Sequence, residues 1–131
     1  MNQRTTLLTG IITLSLAVGL GAFGAHALEP ILIERGRVDT WDLAVLYQMI
    51  HGLGLLAIGI LFDGNIKWFR PTSITMLAGI ICFSGSLYLL CLTDIIFPLV
   101  LITPFGGVLM IASWILMFVA VGVKFKNGEQ A

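Results

Sequence analysis

The stretch TTLLTGIITLSLAVGLGAFGAHA, residues Thr5–Ala27, decides the fold class of this chain. It contains no Asp, Glu, Lys or Arg. At about 1.5 Å per residue it is long enough, as a helix, to cross a hydrocarbon layer about 30 Å thick. Three further apolar blocks follow it, and the expected helices cover residues 5–27, 41–62, 71–93 and 97–123. The sequence therefore predicts an all-α membrane protein, a bundle of four transmembrane helices forming one domain over residues 1–131.

The composition supports this class. Of the 131 residues 58% are hydrophobic and 11% are charged, whereas a soluble domain has about 25% charged residues. The charges lie between the apolar blocks. The net charge is zero and gives no argument for a nucleic acid or an acidic partner, so the lipid bilayer is the expected surrounding.

The start of the fourth helix has two interpretations. Thr103-Pro104 is typical of a helix beginning, with the proline in the first turn, but residues 95–102 are apolar as well. Either the helix starts early and kinks at Pro104, or an apolar segment lies along the membrane interface before it.

The connecting segments predict the orientation, because lysine and arginine are enriched in cytoplasmic loops. Only Arg35 and Arg37 lie on one side of the predicted membrane. The basic residues on the other side are Arg4, Lys67, Arg70, Lys124 and Lys126. We expect both termini in the cytoplasm and the protein in the inner (plasma) membrane.

The first block also resembles a secretory signal, with Ala25-His26-Ala27 as an A-x-A cleavage site. Its length and its arrangement of small residues favour retention as a spanning helix. The following loop, from Leu28 to Thr40, is expected to hold a short interfacial helix, and Trp41 suits the headgroup region.

Small residues predict where helices pack closely in a membrane. The first helix has two stripes on nearly opposite faces, which predicts close neighbours on two sides. One stripe comprises Gly10, Thr13, Ala17, Gly21 and Gly24, and the other Ser15, Gly19, Ala22 and His26. The expected packing glycines are Gly10, Gly19, Gly21, Gly24, Gly79, Gly106 and Gly107.

Polar side chains concentrate in the predicted outer half of the bundle. Tyr47, Gln48 and His51 share one helix face, and His51 lies about 15 Å deep. An ionisable residue at that depth is either a functional group or a hydrogen-bonded packing residue. The predicted polar pocket, open to the external face, comprises His26, Tyr47, Gln48, His51, Ser84, Ser86, Tyr88 and Thr103. The inner half is expected to be dry, because the hydroxyls there can bond their own backbone, and no channel is predicted. These hydroxyl residues are Thr9, Thr13, Thr75 and Ser113.

No catalytic or cofactor constellation is visible. Cys82 and Cys91 are nine residues apart, so on a helix they point to opposite faces and cannot form a disulfide. His26 and His51 differ too much in predicted depth to hold one haem. Two histidines and two diverging cysteines do not make a zinc site. We predict no enzyme, no cofactor and no metal.

Four motifs occur in order along the chain: GAFGAH (21–26), YQMIH (47–51), FSGSLY (83–88) and ITPFGG (102–107). With these motifs the chain resembles, along its whole length, the family called domain of unknown function 423, which includes the transmembrane protein 256 group. Trp114 also matches a tryptophan of that family, while His51-Gly52-Leu53-Gly54-Leu55 replaces a more frequent HALAL, and Glu29-Pro30 replaces a longer polar loop. The resemblance implies four spans with a retained first helix and gives no biochemical function.

Two function classes remain. One is a structural or accessory membrane subunit that packs against a membrane-protein partner or a second copy of itself. The other is a binder or transporter of a small solute, a lipid or a proton, with the polar pocket around His51 as its site. Coupled transport usually needs an embedded carboxylate or several titratable groups, and His51 is alone at depth.

Overall fold

The computed structural model describes residues 1–61 and 68–128, with side chains as far as Lys124. Its α-helices are α1 (Gln3–Ala25), α2 (Glu29–Glu34), α3 (Val38–Leu61), α4 (Phe69–Ile80), α5 (Ser86–Leu92) and α6 (Leu99–Gly128). A π-helical turn, Ile81–Gly85, joins α4 to α5. The predicted end of the second helix near Phe62, the Lys67 position and the Lys126 side chain lie outside the described residues.

Four helices in the described ranges are long and apolar enough to cross a membrane. We call α1 the first span, α3 the second, the continuous helix Phe69–Leu92 the third, and α6 the fourth. The predicted all-α bundle of four transmembrane helices is confirmed. One end of the bundle carries α2 and is called the α2 end below. The other carries the start of α1 and the end of α6 and is called the terminal end.

The helix bounds differ from the expected ones by a few residues. The first span begins at Gln3, where the Asn2 side chain accepts a hydrogen bond from the Thr5 backbone N–H at 2.8 Å and caps the helix. The third span begins at Phe69 and includes Pro71 in its first turn. A proline is tolerated there because first-turn N–H groups have no helical acceptor.

The fourth span begins at Leu99 and has Pro104 inside it. Of the two interpretations of this region, the helix therefore starts before the proline. Ile95, Ile96 and Phe97 precede it with exposed side chains. Proline has no N–H to donate to the carbonyl one turn earlier.

The interfacial helix α2 ends in a Schellman motif. Gly36 has φ +60, a left-handed conformation that suits glycine. Its N–H donates to the Ile33 carbonyl, and the Arg37 N–H donates to the Leu32 carbonyl. This turn reverses the chain at once into α3, which is why the second span begins at Val38 and not at Trp41.

Leu32, Trp41 and Cys91 form a buried cluster beneath α2. Trp41, expected at the depth of the headgroups, is also a packing residue of the bundle. Trp41 is only 1% exposed, and its Nε1 donates to the Leu20 carbonyl at 2.9 Å. The centroids of the Trp41 and Tyr88 rings are 4.7 Å apart. The tryptophan fastens the first, second and third spans together at the α2 end.

The spans pack mainly in chain order: the first on the second, the second on the third, and the third on the fourth. The terminal end has its own apolar cluster, built by the second, third and fourth spans. Its buried members are Leu55, Ile58, Phe69, Met76, Ile80 and Ala120. The first span is therefore held chiefly by the second span.

Candidate functional site

The eight polar residues expected to form one pocket lie in four separate places. His26 is exposed beside Ala22, Phe23 and Ala27, at the α2 end of the first span. Ser86 pairs with Thr103 between the third and fourth spans. Tyr47 and His51 lie against aromatic rings of those two spans. Gln48, Ser84 and Tyr88 face a different space, between the first and third spans.

Gln48 connects three spans through its amide. Its Nε2 donates to the Thr13 carbonyl of the first span at 3.0 Å, and its Oε1 accepts from the Tyr88 hydroxyl of the third span at 2.9 Å. The side chain is buried. Hydrogen bonds between helices are typical of membrane bundles and replace contact with water that the hydrocarbon region cannot supply. Gln48 therefore has a clear structural role as well as a place beside the groove described below.

One ring nitrogen of His51 is hydrogen-bonded within its own helix. Its Nδ1 lies 2.8 Å from the Tyr47 carbonyl one turn earlier, so Nδ1 carries the proton in the neutral ring. The ring stacks on Tyr47 at 5.7 Å and meets the Trp114 ring edge-on at 6.0 Å. The expected pocket around His51 is therefore not observed, because the imidazole is enclosed by aromatic rings.

Ser86 and Thr103 join the third and fourth spans, with their hydroxyl oxygens 2.6 Å apart. The Ser86 oxygen also lies 2.9 Å from the Phe83 carbonyl, and the Thr103 oxygen lies 3.0 Å from the Leu99 carbonyl, so one hydroxyl donates to the other and the second donates to its backbone carbonyl. Every hydroxyl in this pair has a partner, so the pair acts in helix packing.

Most of the glycines expected to pack lie in close seams. A Cβ at Gly10 would come 2.7 Å from Leu56, and one at Gly24 would come 2.3 Å from Trp41. At Gly21 the nearest atom, in Val45, would be at an ordinary 3.4 Å. In the seam between the third and fourth spans, a Cβ at Gly79 would meet Met110 at 2.6 Å. Gly107 is looser, with Phe83 at 3.8 Å.

The second predicted packing face of the first span, that of Gly19, has no neighbour within the described part of the chain. A Cβ at Gly19 would have nothing within 4 Å, and Ser15, Ala22 and His26 are exposed beside it. The Gly10 stripe packs on the second span, and the Gly19 stripe faces outward in the described part of the chain. Spacing identified both stripes but could not say which one has a neighbour.

A groove lies between the first and third spans, with Gln48 at its floor, and has a volume of about 380 Å³. Its walls are mostly aliphatic. The first span contributes Thr9, Ile12, Thr13, Leu16 and Leu20. The third span contributes Leu77, Ile80, Ile81, Ser84, Gly85 and Tyr88. This volume falls in the range of small-molecule pockets, about 300–1,000 Å³.

The groove is closed at the α2 end and open at its side. Leu20 and Tyr88 line it and also pack against the cluster beneath α2. Its rim carries Ile12, Leu16 and Ile81, each more than half exposed. In a bilayer these rim side chains face acyl chains, so access is lateral, from the hydrocarbon region. Which end of the bundle is external is not tested, so the predicted opening toward the external face stays a prediction.

Ser84 stands out within the groove. It is 1% exposed, and its hydroxyl oxygen is the one buried side-chain nitrogen or oxygen of the described residues without a hydrogen-bond partner. It lies in the π-helical turn Ile81–Gly85. Such turns are rare and occur frequently at functional sites. Few buried polar groups in proteins lack a partner, and an unpaired one calls for an explanation.

The opposite side of the π turn is tightly packed. A Cβ at Gly106 would come 2.4 Å from the Phe83 backbone nitrogen, so the fourth span lies backbone to backbone against the turn. Only glycine permits this approach. The fourth span thus supports the turn from behind while Ser84 faces the groove.

Sequence reasoning missed the groove, although it included Gln48, Ser84 and Tyr88 in the candidate set. Thr9 and Thr13 were assigned to a dry half, yet they line the groove one helical turn apart. Their spacing on one face was the available signal. The π turn has no sequence signal of its own, so neither the turn nor the unpaired hydroxyl of Ser84 within it could be predicted.

The chemistry of the groove is that of a neutral binding surface. None of the side chains that line it within the described ranges is ionised at neutral pH. Both cysteines are free, with Cys91 buried beneath α2. Across residues 1–61 and 68–128, no three His, Cys, Asp or Glu side chains are grouped to hold a metal ion.

Comparison with known proteins shows where the chain belongs. The family described as "Protein of unknown function (DUF423)" matches residues 20–107. The chain belongs to the DUF423 family. The UPF0382 membrane protein YwdK of Bacillus subtilis is 45% identical over 125 residues, which cover 94% of this chain and 99% of that protein.

A UPF0382 membrane protein of Staphylococcus saprophyticus is 44% identical over 120 residues, which cover 89% of this chain and 96% of the relative. One from Staphylococcus epidermidis is 43% identical over 128 residues, covering 95% and 100%. No solved structure matches the chain at a significant level. This member of DUF423 is therefore a membrane protein of a family without an assigned activity, as the sequence motifs indicated.

Proposed function

We propose that the protein binds a molecule dissolved in the hydrocarbon region of the membrane, in the groove between the first and third spans. The observation that carries this proposal is a groove of about 380 Å³ whose wall includes a buried hydroxyl, that of Ser84, without a partner. The proposal keeps the binding function considered from the sequence and moves its site away from His51.

The shape of the groove favours an apolar ligand that enters from the side. The closed α2 end separates it from the aqueous edge, and the exposed rim of Ile12, Leu16 and Ile81 faces the lipid. Binding fits these features better than transport does. The polar groups along the bundle are engaged with one another, as in the Gln48 contacts with Thr13 and Tyr88. The proposal assigns no catalytic step.

The proposal places both termini in the cytoplasm and the protein in the plasma membrane. Arg4, Arg70 and Lys124 belong to the terminal end, whereas Arg35 and Arg37 belong to the α2 end. The excess of basic residues at the terminal end favours that side as cytoplasmic. The groove then closes toward the external face.

The test fills the groove without disturbing the seams. A Cβ at Gly85 would have nothing within 4 Å, and Gly85 lines the groove, so Gly85→Leu places a side chain inside it. Gly19→Leu is the matched control, because it adds the same side chain in equally open space outside the groove.

The measurement is native mass spectrometry of protein purified in mild detergent after equilibration with a total lipid extract. We expect one retained small molecule in the wild type and in Gly19→Leu, and little or none in Gly85→Leu. Equal retention by all three proteins would place the binding elsewhere and overturn the proposal.

The Gly19 face supports a second candidate function, that of an accessory subunit. The small, exposed stripe of Ser15, Gly19 and Ala22 resembles the surfaces on which membrane helices pack closely. A second copy of the chain is the partner we would test. Gly19→Cys should form disulfide-linked dimers in native membranes, whereas Gly122→Cys, also in open space, should not. Equal yields for the two variants would exclude a specific contact at this face.

A further inference from the structure

Ser84 carries the one side-chain oxygen of the described residues that is both buried as an atom and without a hydrogen-bond partner. The hydroxyl oxygens of Ser86, Ser113 and Thr72 each lie close to a backbone carbonyl, at 2.9, 2.8 and 2.6 Å respectively. Thr6 and Ser73 do the same. A serine in an α-helix usually bonds the carbonyl four residues earlier. The π turn widens the helix at Ser84 and changes where that carbonyl lies relative to the side chain.

The position of Ser84 along the span limits what could reach it. The third span has 24 residues, about 36 Å, and so extends a few ångström beyond a hydrocarbon layer about 30 Å thick. Ser84 is eight residues from Leu92, about 12 Å along the axis. Its hydroxyl therefore lies about 9 Å inside the hydrocarbon layer. Water and phospholipid ester groups stay nearer the layer's edge.

The surroundings of Ser84 exclude a charged occupant and favour a hydrogen-bond acceptor. No side chain that could balance a charge lines the groove, and an unpaired ion in hydrocarbon is very costly. Transfer from water to this depth costs less free energy for a carbonyl group than for a hydroxyl or an amide, because a carbonyl gives up fewer hydrogen bonds with water. A molecule dissolved there is therefore more easily an acceptor than a donor. The free hydroxyl of Ser84 supplies the missing donor.

On the basis of the proposed groove function, we infer that Ser84 Oγ donates a hydrogen bond to an uncharged carbonyl oxygen of the occupant. Because phospholipid esters stay nearer the edge of the layer, the occupant to which we commit is a quinone-type molecule, with a ring carbonyl at the depth of Ser84 and a hydrocarbon tail along the aliphatic wall of Leu77, Ile12 and Leu16. The groove then satisfies the one buried polar atom that the described bundle leaves unpaired. The inference concerns binding, and no electron transfer is part of it.

The experiment compares matched probes in the same detergent micelles. Decylubiquinone has ring carbonyls and a decyl tail, decylbenzene has the tail and a ring without carbonyls, and didecanoylglycerol carries ester carbonyls. Binding of each is measured by calorimetric titration to the full-length wild type and to the Ser84→Ala, Ser86→Ala and Gly85→Leu variants.

We expect the wild type to bind decylubiquinone about 3- to 10-fold more tightly than decylbenzene, the effect of one net hydrogen bond. Ser84→Ala should bind both equally, with the decylbenzene affinity unchanged. Ser86→Ala should keep the preference, because Ser86 faces Thr103 and lies outside the groove. A wild type without a preference, or a preference retained by Ser84→Ala, would overturn the inference.

The remaining outcomes separate this inference from the proposed function. If Gly85→Leu binds decylubiquinone and decylbenzene as the wild type does, the groove is not the site and both proposals fail. If Gly85→Leu blocks both probes but the wild type binds them equally, the groove function stands and the Ser84 inference fails. Tighter binding of didecanoylglycerol than of decylubiquinone would overturn the assignment to a quinone-type ring.

Discussion

The two sides of the first span show opposite kinds of packing. Toward the second span, Gly10 and Gly24 leave no room for a Cβ, and Gln48 and Trp41 of the second span donate to backbone carbonyls of the first. Toward the third span, the same helix stands apart and leaves a groove of about 380 Å³. The first span is thus fixed along one seam and free to border a binding site along its other side.

The difference indicates how so small a bundle could combine rigidity with a site. Close backbone contact and hydrogen bonds supply stability in a membrane, where apolar surface alone does not drive association. The seam between the first and second spans has both close backbone contact and hydrogen bonds. In the lining of the groove, the hydrogen bonds of Gln48 add to this stability, and the unpaired hydroxyl of Ser84 can remain there.

The largest expected loss of stability comes from adding a methyl group in the seam between the first and second spans. Gly24→Ala brings a methyl group into Trp41, which also loses its alignment with the Leu20 carbonyl. We expect a loss of about 2–3 kcal/mol in the free energy of unfolding, typical of overpacking a close contact. Titration with a denaturing detergent measures it.

The matched groove variant is Gly85→Ala. Gly85 has helical φ and ψ angles of -61 and -44 and open space around its Cβ position, so alanine should leave stability unchanged or raise it by up to about 1 kcal/mol. Similar losses for Gly24→Ala and Gly85→Ala would remove the distinction between seam and groove.

The next largest effect tests the hydrogen bonds by which Gln48 links the first span to the third. Gln48→Leu leaves the Tyr88 hydroxyl without its acceptor and removes the bond to Thr13. We expect a loss of about 1–2 kcal/mol. A double-mutant cycle with Tyr88→Phe should show coupling between the two positions. Additive losses would mean that the bond between Gln48 and Tyr88 contributes nothing measurable.

Two serines of the third span, one paired and one unpaired, should differ in their contribution to stability. Ser86→Ala breaks the contact with Thr103 and should cost about 1 kcal/mol in the absence of ligand. Ser84→Ala removes a buried hydroxyl that has no partner, so stability should stay equal or rise slightly. The same detergent titration serves both. A larger loss for Ser84→Ala than for Ser86→Ala would show that Ser84 is bonded within the protein.

The smallest effect is expected at the outward stripe of the first span. Gly19→Leu adds a side chain in open space, and the gain in helix propensity should leave the free energy of unfolding unchanged or higher by less than about 1 kcal/mol. The purified protein is compared with the wild type by thermal unfolding. A clear loss would indicate that Gly19 packs against a second copy in the purified state.

Much of the fold follows from local chemistry and was predictable. The length of the apolar blocks requires four spans, and the spacing of Gly10, Thr13 and Ala17 indicates a packing face. The interfacial helix follows from an apolar run beside charged residues and Gly36. These features depend on residues that are near one another in sequence.

The site depends on distant contacts and was only partly predictable. His51 was expected to line a pocket because of its depth, but it bonds the Tyr47 carbonyl of its own helix, a local solution that depth counting does not reveal. Ser84 was in the candidate set for its polarity. Its free hydroxyl depends on the π turn and on the separation of the first and third spans.

The groove between the first and third spans can be tested directly as a binding site by identifying the residues that a photoreactive ligand labels. A decyl chain bearing a diazirine is irradiated with the wild type in bilayer nanodiscs, and the labelled residues are identified by mass spectrometry. We expect labels concentrated on groove residues such as Thr9, Thr13 and Leu77. Labelling of these residues should be suppressed by Gly85→Leu and by excess decylubiquinone. Labels spread evenly over lipid-facing residues such as Leu53, Ile115 and Phe118, unaffected by Gly85→Leu, would contradict this expectation.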